Sequence, residues 1–580
     1  MLVDVAVPEM SLNSLTYDCP VNIRPGVRVI VEVGRSLHAG FVLGQSEKDL
    51  PPSVKVKAVE GVIDDVPVIP PDIWELSLWA GRVCMCGNGA AMKALIPRPV
   101  YMGEKVNPPP EREETPGKFT SRTFFNPLDN ERVNFFLDEL NKPGRTLILF
   151  PQKEAAKEFF MSLPDTLKAD ALLWPSSSSP KLWQAWREVH AGKFRIVVAP
   201  PGGIAAPLSP QRIIIEDEAS PAYVLPYTLN ISARSLAGQR ASYLQAEFIT
   251  AGRIPSLKTY VRTSPTEHLK PDRKNIILAD IHASHKEQVH GTEGHIPLTF
   301  SLIKHTYREL AQSHSVIWIL DRTGGASEVF CGNCGGTVKC LKCGAAMQAV
   351  SEGSILRCRK CGAVRVMPDK CESCGYGLLS GRRPGLDALA EIAGRYCNDV
   401  HVYDGGKSSG LHGLILSTRR GLELCGRVKP GLIAWLDLDA ELRGQAHTTR
   451  YNVFMMLWES YWRGRDSNSG RKVLVQSRMS GMRLAVFLSQ GWGKFIPDEL
   501  KSRREFILPP YGYITELEFG SKIAREEMID SFMAAGIFVM DPGDDKLPIY
   551  VNTESLDAVR KILEPKLSLR NSIKITVRSE

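Results

Sequence analysis

Residues 331–374 read CGNCGGTVKCLKCGAAMQAVSEGSILRCRKCGAVRVMPDKCESC, four C-x-x-C pairs in 44 residues that hold eight of the chain's thirteen cysteines. The pairs are Cys331/Cys334, Cys340/Cys343, Cys358/Cys361 and Cys371/Cys374. A C-x-x-C turn aims two thiolates at one ion, and two such turns complete a tetrahedron, so the block predicts two zinc ions and a small domain built around them. Gly335, Gly344, Gly362 and Gly375 follow the second cysteine of each pair, where a left-handed residue closes the turn. Five residues separate the first two pairs, too few for a ribbon with a turn at each end, whereas fourteen separate the second and third, with SILRCRKC reading as a strand. Spacing therefore favours a nested arrangement, inner pairs on one ion and outer pairs on the other, and leaves an interleaved one open. Closed four-thiolate sites argue against catalysis by the metal; stapling a small domain and presenting a partner surface stay equal alternatives.

The rest of the chain bounds this reading. At 580 residues it is too long for one core, and three to five domains are expected. No apolar run approaches the ~18 residues of a membrane span, and MLVDVAVPEM lacks the basic and apolar regions of a secretion signal. A cytoplasmic protein with reduced thiols and no membrane association is expected, which favours metal over disulfides. The formal charge of +8 falls to about +4 once two ions each carry four thiolates. Between 331 and 383, nine Lys or Arg stand against three acids, so the insert stays positive and suits a nucleic-acid partner. Arg357, Arg359 and Lys360, around the third pair, are its candidate phosphate contacts. Cys19, Cys84, Cys86, Cys397 and Cys425 read as small buried residues. IHASHKEQVHGTEGH, with His282, His285, His290 and His295, reads as a polar loop before a helix.

Along the chain, VRVIVEV and AGFVLG predict a β-rich start, followed by a helix at DIWELSLWAGRVC. VNPPPEREETPGK is a linker. Buried-strand runs then alternate with amphipathic helices: RTLILF, PQKEAAKEFFMSL, RIVVAP, RIIIEDE, ISARSLAGQRASYLQ. The alternation restarts with NIILAD, SLIKHTYRELAQ and VIWILD, is interrupted by the cysteines, and resumes through GLDALAEIAGRY, DVHVYD, GLILST, LIAWLDLD and FMMLWESYW. Two successive α/β layers of this kind predict paired parallel-sheet lobes. The tail reads as a smaller mixed α+β piece.

These segments carry a resemblance to the PriA family of bacterial replication restart helicases. YDCPVNIRPGVRVIVEVGRS…GFVLG is similar to the family's 3′-DNA-end-binding domain, KLWQAWREVHAGKFRIVVAP…IIIEDEASPAY to its first helicase lobe, and VIWILDRTGG to the strand directly before its eight-cysteine insert. LIAWLDLDAEL and RREFILPPYGYITELEF continue the match. The resemblance implies a multidomain α/β fold with two RecA-like parallel-sheet helicase lobes, a zinc-ribbon insert in the second lobe, a β-rich N-terminal DNA-binding domain and a small α+β C-terminal domain. The implied bounds are 1–105 for the DNA-end-binding domain, 106–118 for a linker where the family has a winged helix, and 119–262 for the first lobe. The second lobe would take 263–330 and 378–500, the insert 331–377 and the C-terminal domain 501–580. It further implies one zinc on Cys331, Cys334, Cys371 and Cys374 and the other on Cys340, Cys343, Cys358 and Cys361. Gly34 and Lys57 match residues of the family's 3′-end pocket, whose aromatic and Asp positions are Leu15 and Thr16 here. Implied partners are DNA (forks, 3′ ends, single strands), primosome proteins and single-strand-binding proteins, with the chain itself a monomer.

The helicase chemistry departs from the family. A phosphate-binding loop, G-x-x-x-x-G-K-[ST], should precede RTLILF, yet KFTSRTFFNPLDNERVNFF contains no glycine. The acidic motif is Glu216-Asp217-Glu218-Ala219, a DNA-contacting Thr-Arg-Ser is replaced within APPGGIAAP, and Arg463 or Arg465 of ESYWRGRDSN stands where an arginine finger belongs. Gly406-Lys407-Ser408 falls in the wrong lobe and reads as a surface turn. The expectation is a replication restart protein that binds forked or 3′-ended DNA and has neither a catalytic residue nor a bound ATP and magnesium. The competing readings are an active ATP-dependent 3′→5′ helicase and a zinc-containing interaction protein without DNA binding.

Overall fold

The computed structural model describes the chain except residues 9, 11–12, 49–54, 111–116, 177–179, 226–228, 282–284, 289–294, 321–325, 330, 332–336, 351–354, 359–360, 377–381, 406–409, 443–445, 468–469, 478–479, 544–546, 565–572 and 580. It forms two compact units, one of residues 1–125, 132–265 and 500–580, the other of 126–131 and 266–499.

In the first unit, alternating VRVIVEV-type segments give a five-stranded antiparallel sheet in the order Leu15–Asp18, Leu2–Ala6, Ser36–Gln45, Arg28–Val33, Val59–Val62. Val3, Val5, Tyr17, Val29, Val31 and Val42 fill one face, as a period-2 pattern requires. Helices Pro71–Cys84 and Asn88–Leu95 follow and pack into the core of the next layer with Leu147, Trp186 and Ile213. That layer is a six-stranded parallel sheet, ordered Thr120–Phe125, Glu247–Gly252, Arg212–Ile215, Thr146–Leu149, Ile196–Ala199, Ala171–Leu173. TLIL and IVVA are buried at every position because helices cover both faces, as parallel sheets require.

The C-terminal piece of this unit runs strand–helix–strand–strand–helix–strand, with sheet order Val539–Met540, Ile549–Thr553, Tyr513–Phe519, Ile573–Arg578, all antiparallel. This is the ferredoxin-like β-α-β-β-α-β arrangement. Its buried Arg525 grips both oxygens of Asp541, at 2.5 and 2.9 Å. Those bonds, helped by the Gly543 N–H, hold the Asp541 carboxyl down at about 2. A carboxylate whose pKa falls on folding stabilises the fold above its unfolded pKa of about 4, and that contribution is lost as pH falls toward the folded value. Asp541→Asn is expected to lower the thermal midpoint at neutral pH, with the gap to wild type closing between about pH 4 and pH 2 in a melting series.

The second unit holds another six-stranded parallel sheet, ordered Ile276–Asp280, Lys472–Ser477, Leu432–Trp435, Val316–Ile319, Leu414–Ser417, Val400–Tyr403. The two six-stranded parallel sheets are the paired parallel-sheet lobes that the alternation predicts. Trp318, Leu389, Leu414, Leu416, Leu432 and Leu474 are fully buried in the second. The histidine-rich segment departs from expectation: His285–Gln288 and His295–Leu298 pair as an antiparallel hairpin rather than a plain loop. Ile296 and Leu298 point into the lobe's core and so hold the second strand in place; His282 and His290 lie outside the described residues. Between Val316–Ile319 and helix Leu386–Ala393 the chain leaves the lobe through paired strands Ala326–Val329 and Arg382–Pro384 and builds the cysteine-rich insert. Among the described residues no helix is long and apolar enough to cross a membrane.

Candidate metal centre and nucleic-acid interface

The insert's three-stranded sheet, Met347–Val350, Ile355–Cys358 and Val364–Val366, sets the position of two of the cysteine turns. Met347 pairs with Cys358, and the turn Cys340–Gly344 precedes Met347, so this pairing carries the turn to the one at Cys358–Gly362. Each turn closes the same way. Cys340 N–H donates to Ala345 O and Gly344 N–H to Cys340 O, both at 2.8 Å; Cys358 and Ala363, then Gly362 and Cys358, repeat the pattern at 2.8 and 2.9 Å. Cys371 with Tyr376 and Gly375 with Cys371 form the third copy at 2.8 Å. Gly344, Gly362 and Gly375 sit at φ of 70°, 71° and 71°, the left-handed conformation that a side chain would strain.

Cys340, Cys343, Cys358 and Cys361 bring their sulfurs within 4.8 Å of one another, and Cys331, Cys371 and Cys374 do likewise; Cys334 lies outside the described residues. Cys340 and Cys361 sulfurs are 3.6 Å apart, Cys343 and Cys358 3.3 Å, and Cys331 and Cys374 3.6 Å. Zn–S bonds of ~2.3 Å in a tetrahedron put the sulfurs ~3.8 Å apart, so these clusters have the size and donor set of a thiolate-bound metal ion. Burial pushes the Cys340 thiol up, yet the N–H groups of Lys342 and Cys343 aimed at its sulfur bring it below the ordinary thiol value. Within the same cluster the Ala345 N–H lowers Cys343, yet its neighbouring thiols and burial push it up to about 12; outside the clusters, burial pushes Cys84 well up and Cys86 to about 11. Of the basic candidates, Arg357 is exposed on the insert's central strand opposite Val364. Arg359 and Lys360 lie outside the described residues.

In the N-terminal sheet, residues far apart in sequence meet at the turn that joins Arg28–Val33 to Ser36–Gln45. Lys57 Nζ donates to Gly34 O at 3.0 Å and pairs with Glu32 at 3.0 Å, beside the bridge between Asp18 and Ala58. Gly34 has φ +63° at the tight turn and open space where a side chain would be. Thr16 points to the neighbouring strand, donating to Asp4 at 2.7 Å, while Leu15 packs against the sheet core.

The acidic run at 216–218 is occupied by arginines that the sequence did not flag. Glu216 meets Arg132 at 2.8 Å, Asp217 meets Arg253, and Glu218 meets Arg234. Glu218 also accepts from Ser256 N–H at 2.7 Å. Burial pushes the Glu216 carboxyl up; Arg132 pulls it back, Asp217 raises it and Arg253 lowers it. Asp217 sits at a left-handed φ of 47°. Only Asn126, Pro127 and Leu128 connect strand Thr120–Phe125 to helix Asp129–Asn141, whose first turn carries Asp129 and Glu131.

In the PPGG turn, Pro201–Ala205, Gly202 is exposed, whereas Gly203 is packed: a Cβ on Gly203 would lie 2.3 Å from Ala199 Cβ. Arg240, itself paired to Asp72, holds the turn through Ala206 O at 2.8 Å. Arg463 pairs with Glu459 at 3.0 Å, and buried Arg465 stacks on Tyr461 at 4.6 Å. Gly406, Lys407 and Ser408 lie outside the described residues.

A family model for the PriA 3′ DNA-binding domain (3′BD) matches residues 3–97. The chain is 21% identical over 369 residues to replication restart protein PriA of Bacillus subtilis, covering 59% of this chain and 46% of that protein. It is 23% identical over 420 residues to the PriA of Synechocystis, covering 65% and 49%. The chain thus spans about half the length of the curated relatives it matches. Among solved structures, the Escherichia coli DExH-box NTPase HrpB aligns over 62% of this chain and 40% of its own, at 12% identity and a TM-score of 0.33. Dbp5 of Saccharomyces cerevisiae bound to RNA and ADP BeF3 aligns over 75% and 97%, at 10% identity and a TM-score of 0.32.

Proposed function

We propose that this chain, a divergent relative of the PriA replication restart proteins, binds forked or 3′-ended DNA and gathers replication partners there without running as an ATP-driven motor. The observation that carries the reading is the N-terminal domain: residues 3–97 match a 3′ DNA-binding domain, and Lys57 meets Gly34 at the turn between two of its strands. The exposed lysine supplies a phosphate contact, and the bare glycine backbone leaves room for a nucleotide to approach. Two zinc ions on the cysteine clusters hold the insert in shape, and its positive surface adds further phosphate contacts through Arg357, Arg359 and Lys360. Primosome and single-strand-binding proteins are the partners this reading implies.

Binding of labelled fork DNA across a salt series, with and without ATP, tests it. Affinity should fall steeply with salt because each neutralised phosphate releases counterions, and ATP should leave it unchanged. Lys57→Ala should weaken fork binding at every salt concentration. Replacing Arg357, Arg359 and Lys360 together with Gln should flatten the slope by up to about three contacts. A slope unaltered by the triple change would show that the cluster is only a solvated face, and no fork binding at all would sink the proposal.

A further inference from the structure

The second lobe carries a group of side chains of metal-ligating type that is separate from the cysteine clusters. Asp399 and His401 flank Val400 at the start of the outermost strand, Val400–Tyr403, so period-2 alternation puts both on one side of the sheet. His412 comes two residues before the neighbouring parallel strand, Leu414–Ser417, whose Leu414 pairs with Val400. The pairing is locked by Leu414 N–H donating to Asp399 O at 3.0 Å. The two imidazoles therefore converge on one carboxylate: His401 Nε2 lies 2.9 Å from Asp399 Oδ1, and His412 Nε2 lies 3.4 Å from Oδ2. Their donor atoms all fall within 4.8 Å of one another.

Two details separate this group from an ordinary surface cluster. His412 Nδ1 is 2.7 Å from Gly410 O, and a carbonyl only accepts, so Nδ1 carries the proton. That bond fixes the ring so that Nε2, the nitrogen left over, faces the Asp399 carboxylate. A metal-bound histidine is held by this same kind of backbone bond from its other nitrogen. In addition, Gly413 leaves space for the carboxylate: a Cβ there would sit 2.1 Å from Asp399 Oδ2. Among the described residues the ion-pair partners of Asp399 are these two histidines, so no lysine or arginine competes for the site.

We propose that Asp399, His401 and His412 form a third metal site, separate from the cysteine clusters, that takes Zn²⁺ or a similar borderline divalent transition ion. Two imidazoles and one carboxylate suit such an ion and not Mg²⁺ or Ca²⁺, which take oxygen ligands. Metal–ligand bonds of ~2.1 Å in a tetrahedron space the ligand atoms ~3.4 Å apart, the scale seen between His412 and Asp399. With three protein ligands the ion keeps an open position for water. It ties the start of the edge strand to the turn before its neighbour and so stabilises that edge of the lobe.

The test uses the full chain with its cysteine clusters zinc-filled, passed over a chelating resin and then titrated with Zn²⁺ calorimetrically and with Co²⁺ by absorption. One further ion per chain is expected, with a Co²⁺ spectrum that lacks thiolate charge transfer. His401→Gln and His412→Gln should each weaken it by about 100-fold, with unchanged melting in the absence of added metal. No further ion means the group is an imidazolium–carboxylate cluster only and overturns the proposal. So does equal binding by both variants, which marks adventitious surface binding, and so does thiolate charge transfer, which marks entry into the cysteine clusters. None of these outcomes depends on DNA binding.

Discussion

Replacing Cys358 by Ser is expected to unfold the cysteine-rich insert while leaving both lobes folded. The insert's own core is Val329, Val338, Cys340, Met347, Leu356 and Cys358, so two of its members belong to the inner thiol cluster. A core this small does not offset the cost of ordering some forty residues, and on the proposed zinc binding the metal would supply the difference, about 10–16 kcal/mol for a structural zinc site at neutral pH. The serine would place a hydroxyl at a position 1% exposed and remove one of four thiolates from the inner cluster. The flanking lobe has an independent core around Trp318, Leu389 and Leu432 and does not rely on the insert. Metal analysis should then find about one zinc in place of two. Limited proteolysis should cut inside 331–377, and the main melting transition should stay near wild type. Both ions retained, or the whole chain unfolded, would contradict this account.

The sequence exposed the lobes because their strands are buried on both faces and so read as plain apolar runs, as in TLIL, RIII and LIAW. Thr120–Phe125 escaped notice because TSRTFF lies at the sheet's edge and is exposed over its first half, so it carries no such run. The histidine hairpin escaped for a similar reason: HKEQ has no apolar alternation, and only Ile296 and Leu298 anchor its partner strand. In the insert, residue types and spacing announced a metal-binding block. Which turn meets which depends on the pairing of Met347 with Cys358, a register that spacing does not encode. The arginines around the acidic run were illegible for a different reason. Arg132 lies 84 residues before Glu216, and Arg253 lies 36 after Asp217, so only the assembled sheet brings them together.

Those arginines lead to the last expectation: the acidic run supports the fold of the first lobe and turns over no ATP. Phosphoryl transfer requires a cradle for the triphosphate, a held magnesium ion and stabilisation of developing charge. A phosphate-binding loop provides the cradle by lining up backbone N–H groups between a strand and a helix. Here the connection is Asn126-Pro127-Leu128, which contains a proline without an N–H, and Asp129 and Glu131 at the helix start repel a polyphosphate. The carboxylates that would hold magnesium are bound to Arg132, Arg253 and Arg234 instead. Removing Arg132, 3% exposed, leaves Glu216 buried without its partner, and breaking such a pair costs about 3–5 kcal/mol. Arg132→Ala should therefore lower the melting temperature of the lobe clearly, while Glu216→Gln, which keeps a hydrogen-bond acceptor for the arginine, costs less. In an ATPase assay with fork DNA, the wild type and Asp217→Asn should both stay at background. DNA-stimulated turnover of order 1–100 per second that Asp217→Asn abolishes would overturn this reading, because it would require a carboxylate free to serve the nucleotide.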